Sequence, residues 1–241
     1  MVKEALSSDD IAPAPDISQL VIEDDTPVDN FRSEKQQRLL TEVLYSSWLP
    51  PTGSETFIAA ANVGVFYNVG LPPLVPDVFL SLDTSMPEDW REKKNRTYFT
   101  WEFGKAPDVV IEIVSNREGN ELGSKLRDYA RMGVWYYVVF DPLQLLGEQI
   151  LRNYQLVMKR YVEMETFWLA EVGLGVTLWE GVFEGKQDIW LRWCDQEGNV
   201  LPTGAERAKQ AEQRAQTAEQ RAEQLAAQLR ALGIDPDQLP N

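Results

Sequence analysis

The chain is predicted to be an α/β protein with a buried sheet, a run of antiparallel strands after it and a C-terminal helix built for pairing. Three observations carry this. Asp108 to Val114 is almost continuously apolar, as a central strand covered on both faces must be. A helical stripe over Glu121–Met132 and a second apolar run, Trp135 to Phe140, follow it, the order of a βαβ crossover. Near the end, small or apolar residues recur at alternating steps of three and four from Ala208 to Leu232, a heptad seam.

The 241 residues fit one domain of ordinary size with appendages, and 44% hydrophobic content with 8 Trp supplies a core. Four segments are expected: an acidic, mostly disordered stretch over 1–30, a folded domain over 31–203, a coiled-coil helix over 204–233 and a flexible end over 234–241. No apolar run approaches the ~18 residues that cross a bilayer, so no membrane contact is expected. Residues 1–30 hold no basic start followed by an apolar stretch, so no secretory signal is read there. The single cysteine, Cys194, excludes an internal disulfide framework and suits the reducing cytoplasm.

The elements follow in order. Ser33 can cap a helix with the stripe Leu39, Leu40, Val43 and Leu44, ended by Pro50 and Pro51. Thr56 to Asn68 and Val75 to Leu82 have the β-branched and alternating character of strands, and Tyr98 to Phe103 is a short further one. Asp83 to Arg96 is charged and irregular, a surface loop. The Glu121–Met132 helix stops at Gly133, and Asp141-Pro142 closes the next strand. From Gln149 to Cys194 antiparallel strands with Gly-containing turns extend the sheet. In the tail, Ala-Glu-Gln-Arg-Ala at 211–215 recurs at 218–222, and Gly233 and Pro236 end the helix; alanine at most seam positions makes it a weak zipper, with a solvated single helix as the alternative.

Chemistry is narrowed by what is missing. The sequence has no histidine, which removes His-ligated zinc, Ser-His-Asp triads and imidazole acid–base work together. Catalysis would have to run on carboxylates, lysine, hydroxyls and a hard cation. The net charge of −15 argues against a polyanionic partner. Residues 1–30 hold eight acids against Lys3, and 204–241 six acids against five bases, so the domain between them is itself acidic.

Glu112 is the informative residue. It interrupts an apolar strand, where a carboxylate needs a partner or a metal, unless that face reaches solvent at an edge. Asp77 follows Pro76 at the head of another strand, a pairing that also simply starts strands and turns. Asp108 shares a strand face with Glu112 and competes for the role of first acid. Lys125 falls inside the apolar stripe of its helix with Leu122, Leu126, Tyr129, Ala130 and Met132, so it either snorkels outward or meets a buried acid. Two carboxylates can hold Mg²⁺ or Mn²⁺, and an ammonium can stabilise a pentacovalent phosphate, a phosphodiesterase set that needs no histidine.

The stretch Pro107-Asp-Val-Val-Ile-Glu-Ile-Val-Ser115, then Lys125-Leu-Arg-Asp-Tyr-Ala-Arg-Met-Gly-Val134, Tyr137 and Asp141-Pro142, resembles the Uma family of restriction endonucleases. Val75 to Leu82 and Tyr98 to Glu102 resemble it too, and the likeness runs from about Phe31 to Trp193. It implies a restriction-endonuclease-like core, a mixed central sheet flanked by helices, of the PD-(D/E)XK nuclease superfamily. It also implies a metal-dependent DNA endonuclease with Asp77 and Glu112 as metal ligands for Mg²⁺ or Mn²⁺. Val114 stands where the superfamily's lysine should be, so by resemblance the lysine is Lys125, on the following helix. Glu34 matches an acidic residue of the family's first helix, and Glu34, Asp108 and Tyr129 are taken as auxiliary positions. Over Asn116 to Asn120 the chain departs from the family's basic residues and aspartate, and Glu121 stands near the latter's place.

Two functions follow. One is an endonuclease working on DNA as a homodimer; the other is a catalytically silent nuclease-fold interaction protein that assembles through its coiled coil.

Overall fold

A computed structural model describes residues 30–51, 56–117 and 119–232; the acidic segment up to Asp29 and the end over 233–241, with the expected helix stop Gly233, lie outside them. The described chain forms two compact units, one ending at Leu201 and one beginning at Pro202. Among the described residues no helix is long and apolar enough to cross a membrane.

The first helix, α1 (Phe31–Ser47), is capped by Asn30 rather than by Ser33: the Asn30 side chain accepts from the backbone N–H of Arg32 and Ser33. Ser33 instead turns inward and is buried, because three positions into the helix it falls on the core-facing stripe. The strand expected over Thr56–Asn68 divides into β1 (Phe57–Ala61) and β2 (Val65–Phe66), with Asn62 in the left-handed region at φ 54° between them. β3 (Val78–Leu82) begins three residues later than the alternation suggested. β4 is only Tyr98–Phe99; the rest of that run coils into α2 (Thr100–Phe103), which ends at left-handed Gly104.

β5 (Val109–Ile113) is buried at every position. The expected helix after it opens with a π-helical turn, Glu121–Lys125, before α3 (Leu126–Met132). β6 (Tyr136–Phe140) follows, then β7 (Leu151–Val157), β8 (Arg160–Glu163), β9 (Trp168–Leu169), β10 (Leu174–Phe183) and β11 (Lys186–Cys194).

The principal sheet has the order β1-β3-β5-β6-β7-β8 and is mixed: β5 and β6 run parallel, and every other neighbouring pair is antiparallel. Alternation along its strands feeds two cores. On one face, Val78, Leu80, Val109, Ile111, Ile113 and Val138 pack under Leu39, Leu40, Val43 and Leu44 of α1. On the other, Phe79, Val110, Val114, Tyr137 and Val139 meet Tyr129 of α3 and Tyr98. The late strands do not all extend this sheet. Only β7 and β8 do; β9, β10 and β11 pair among themselves as a second sheet. Its Leu174, Val176, Trp190, Leu191 and Trp193 join the α1 core, so their apolar faces are buried against the helix rather than along an edge.

α4 (Gly204–Ala231) is a continuous helix. Thr203 and Glu206 close its start as a reciprocal capping box. None of its residues is buried.

Candidate active site

The sheet brings Asp77 and Glu112 onto one side of two neighbouring strands. Val78 lies opposite Ile111 in the β3–β5 register, so the residue before β3 falls beside the C-terminal end of β5. The Ile113 N–H donates to Asp77 Oδ2 at 2.6 Å, which fixes the first acid directly to the strand that carries the second. Gln37 of α1 donates its amide to Asp77 Oδ1 at 3.0 Å and to Asn62 Oδ1 at 3.3 Å, and takes a bond back from Asn62 Nδ2.

Glu112 is 1% exposed. Lys125 Nζ lies 2.8 Å from its Oε2, and the Tyr129 hydroxyl donates to its Oε1 at 2.6 Å. The lysine therefore points to the buried acid and not outward. The helix stripe explains the convergence: Lys125 and Tyr129 are four residues apart and stack on the face that crosses β5. Leu122, expected in that stripe, is 39% exposed instead, because the π-helical turn adds a residue per turn and rotates it out of phase.

Burial drives the Glu112 carboxyl up to about 8, the neighbouring Asp77 charge adds to the rise, and Lys125 and Tyr129 oppose it. Burial also pulls the Lys125 ammonium down, but the Glu112, Glu121 and Asp77 carboxylates outweigh it and hold the lysine above its ordinary value. These shifts compete, since a proton on Glu112 removes part of what holds Lys125 up. Tyr129 and Tyr137, whose tilted rings lie 5.2 Å apart, are likewise raised, chiefly by burial and then by Glu112.

A third acid stands beside this group. Glu121 is 4% exposed, and its Oε1 is 3.6 Å from Lys125 Nζ. Among the described residues its buried Oε2 has no hydrogen-bond donor. Gly119 makes room for it: a methyl group at Gly119 would come 1.9 Å from Glu121 Oε1. The sequence offered two signals for Glu121, its place near the family's aspartate and its i,i+4 spacing to Lys125, and almost none for Gln37, which sits in a polar pair within an apolar stripe.

The other candidates are placed elsewhere. Asp108 is buried at the opposite end of β5, where its Oδ2 accepts from Lys105 Nζ at 2.6 Å and from the Leu82 N–H at 2.7 Å. It ties the end of β3 to the start of β5. Glu34 is half exposed and pairs with Arg38, a full helical turn along the outer face of α1, while Gln37 occupies the face toward Asp77.

Among the described residues no group of three Asp, Glu, His or Cys side chains is gathered as for a closed metal cage. Two adjacent carboxylates whose charges repel each other do fit a hard divalent cation that keeps several waters. Each carboxylate oxygen has a second lone pair beyond the hydrogen bond it now accepts.

A family model, Uma2, described as "Putative restriction endonuclease", matches residues 19–178, from upstream of α1 to within β10. No curated protein matches the chain.

Proposed function

From the premise that this chain belongs to the Uma2 family, we propose that Asp77, Glu112 and Lys125 are the active site of a divalent-metal-dependent DNA endonuclease. The observation that carries the reading is the 2.8 Å contact between Lys125 Nζ and Glu112 Oε2. A mid-strand acid and a helix lysine meet in a buried place where structure alone would favour apolar residues.

The reaction is hydrolysis of a phosphodiester: a water oxygen bonds to phosphorus, one ester P–O bond breaks, and the departing oxygen takes up a proton. Asp77 and Glu112 would hold Mg²⁺ or Mn²⁺, which supplies Lewis-acid charge to the phosphoryl oxygens and acidifies bound water. Lys125 remains protonated and lends positive charge to the crowded phosphorus centre. Gln37 and the Ile113 N–H orient Asp77, and Tyr129 orients Glu112. With Glu112 Oε2 engaged elsewhere, Glu121 offers Lys125 a second carboxylate at 3.6 Å.

The acidic balance is offset locally. Trp90 to Arg96 holds Arg91, Lys93, Lys94 and Arg96 against Glu92, and Trp90 is 62% exposed. Arg96 and Thr97 line a small cavity with Phe79 and Tyr98, which belong to the same core as Tyr129. The loop thus lies on the acid-bearing side of the sheet, and its exposed ion pairs, Arg91 with Asp89 and Lys94 with Glu92, can exchange for phosphates. A homodimer, giving one core per strand of a duplex, and a cytoplasmic setting belong to the same reading.

One observation favours a silent scaffold instead: Asp77 and Glu112 already accept protein donors on both oxygens. The deciding experiment is cleavage of duplex and single-stranded DNA with Mg²⁺ or Mn²⁺, run beside Mn²⁺ titration of the wild type and of Asp77→Asn. Metal-dependent cleavage lost in D77N is expected. Absence of both cleavage and Mn²⁺ binding in the wild type would establish the scaffold.

A further inference from the structure

We propose that α4 pairs with α4 of a second copy of this chain as a parallel, in-register two-stranded coiled coil; this deepens the homodimer reading above and rests on it. All 28 residues of the helix lack burial, and Leu225 is 53% exposed and Leu232, at its C-cap, 76%. A helix of this length with none of its described residues buried leaves an apolar seam to cover.

The seam fixes the heptad. Ala208, Ala215, Ala222 and Leu229 take one core position, and Ala211, Ala218, Leu225 and Leu232 the other. The residues that flank the seam are then sorted by sign. Arg207, Arg214 and Arg221 occupy the position before the first core residue; Glu212 and Glu219 occupy the position after the second. Among the described residues Glu212, Arg214, Glu219 and Arg221 form no ion pair within their own chain.

Orientation follows from that sorting. In a parallel pair, each leading flank faces the trailing flank five residues further along the other helix. Arg207 then meets Glu212 of the second copy, and Arg214 meets Glu219, on both sides of the seam. In an antiparallel pair like flanks face each other, arginine against arginine and glutamate against glutamate, which is unfavourable. Leucine at the second core position of the last two heptads also suits a two-stranded parallel pair. The alanine-rich first half contributes close approach and little area, so the charged flanks decide direction there.

The test uses the full chain. Ala211→Cys should form a disulfide-linked dimer with itself under mild oxidation; Cys194 is fully buried, so the wild type serves as control. In an antiparallel pair, A211C would cross-link to Leu229→Cys on a size-tagged copy and not to itself. That result would overturn the orientation and leave the dimer standing. Sedimentation adds the second arm: R214E should weaken dimerisation roughly three- to tenfold, and E219R added to it should restore it. Strengthening by R214E would also overturn the parallel arrangement. A monomer at micromolar concentration with no cross-link from either cysteine would overturn pairing altogether, and with it the dimer.

Discussion

The Tyr129 hydroxyl lies 2.6 Å from Glu112 Oε1, in a place where both residues are shut off from water. Tyr129→Phe keeps the ring packed against Tyr137 and removes only the donor. The buried oxygen loses its partner, at a cost of about 1–3 kcal/mol, and the Glu112 carboxyl shifts further upward. Denaturant unfolding of Y129F at pH 7 measures this; stability equal to wild type would show that the hydroxyl contributes nothing.

Glu112 should make stability depend on pH. Its folded value of about 8 lies above the ordinary 4.5, so the folded state binds the proton more tightly than the unfolded one. The stability it contributes is therefore complete below about 4.5 and is lost as pH rises toward 8, by on the order of a few kcal/mol. Glu112→Gln carries no such titration. Its unfolding midpoint, compared with wild type at pH 5 and pH 8, should gain on the wild type at the higher pH; parallel curves would show that Lys125 and Tyr129 compensate the buried charge fully.

Lys125→Met separates charge from metal holding. The two acids remain, so Mn²⁺ titration should still show binding, whereas cleavage should fall by about a hundredfold or more. Loss of an ammonium beside a buried carboxylate should also destabilise the fold more at pH 8 than at pH 5, since Glu112 can take a proton at the lower pH. Wild-type cleavage in K125M would remove the lysine from the mechanism.

The exposed loop should be read through salt. Arg91→Ala with Lys94→Ala removes two cations, one 92% exposed, far from the buried core. DNA binding should weaken on every sequence alike, and the slope of log affinity against log salt should drop by about 1–2. An unchanged slope in a filter-binding or anisotropy titration would place the phosphate contacts elsewhere.

Much of this architecture is legible in the sequence. The β5 run, Glu112 within it and the periodicity of Lys125 are local patterns, and burial on both faces writes itself into consecutive residues. Asp77 was readable only through resemblance, because a Pro-Asp pair has many local causes and its partner strand is 36 residues away. Gln37 escaped for the same reason: nothing near it in the chain reveals that Asp77 waits across the sheet edge. The β9–β11 strands form a separate sheet rather than the expected extension, because alternation reports that a strand is half buried, never which strand it pairs with. The π-helical turn was invisible too, since one residue of slippage leaves the helical pattern intact.

Consecutive residues of α1 face in different directions with unlike duties. Gln36 takes the N–H of Leu191 at 2.9 Å and gives its amide to the Leu191 carbonyl at 2.8 Å, as a strand neighbour would, while Gln37 holds Asp77. Lys35 and Arg38 clasp Glu184, and Arg32 clasps Asp188, on the β10–β11 hairpin. The hairpin's outer half and all of β11 lie beyond the span matched by the family model, yet they are what the helix is docked against. The accessory hairpin thus acts as a jig for the first acid. A truncation at the end of the matched span would leave all three proposed catalytic side chains in the chain and still let Asp77 drift out of alignment.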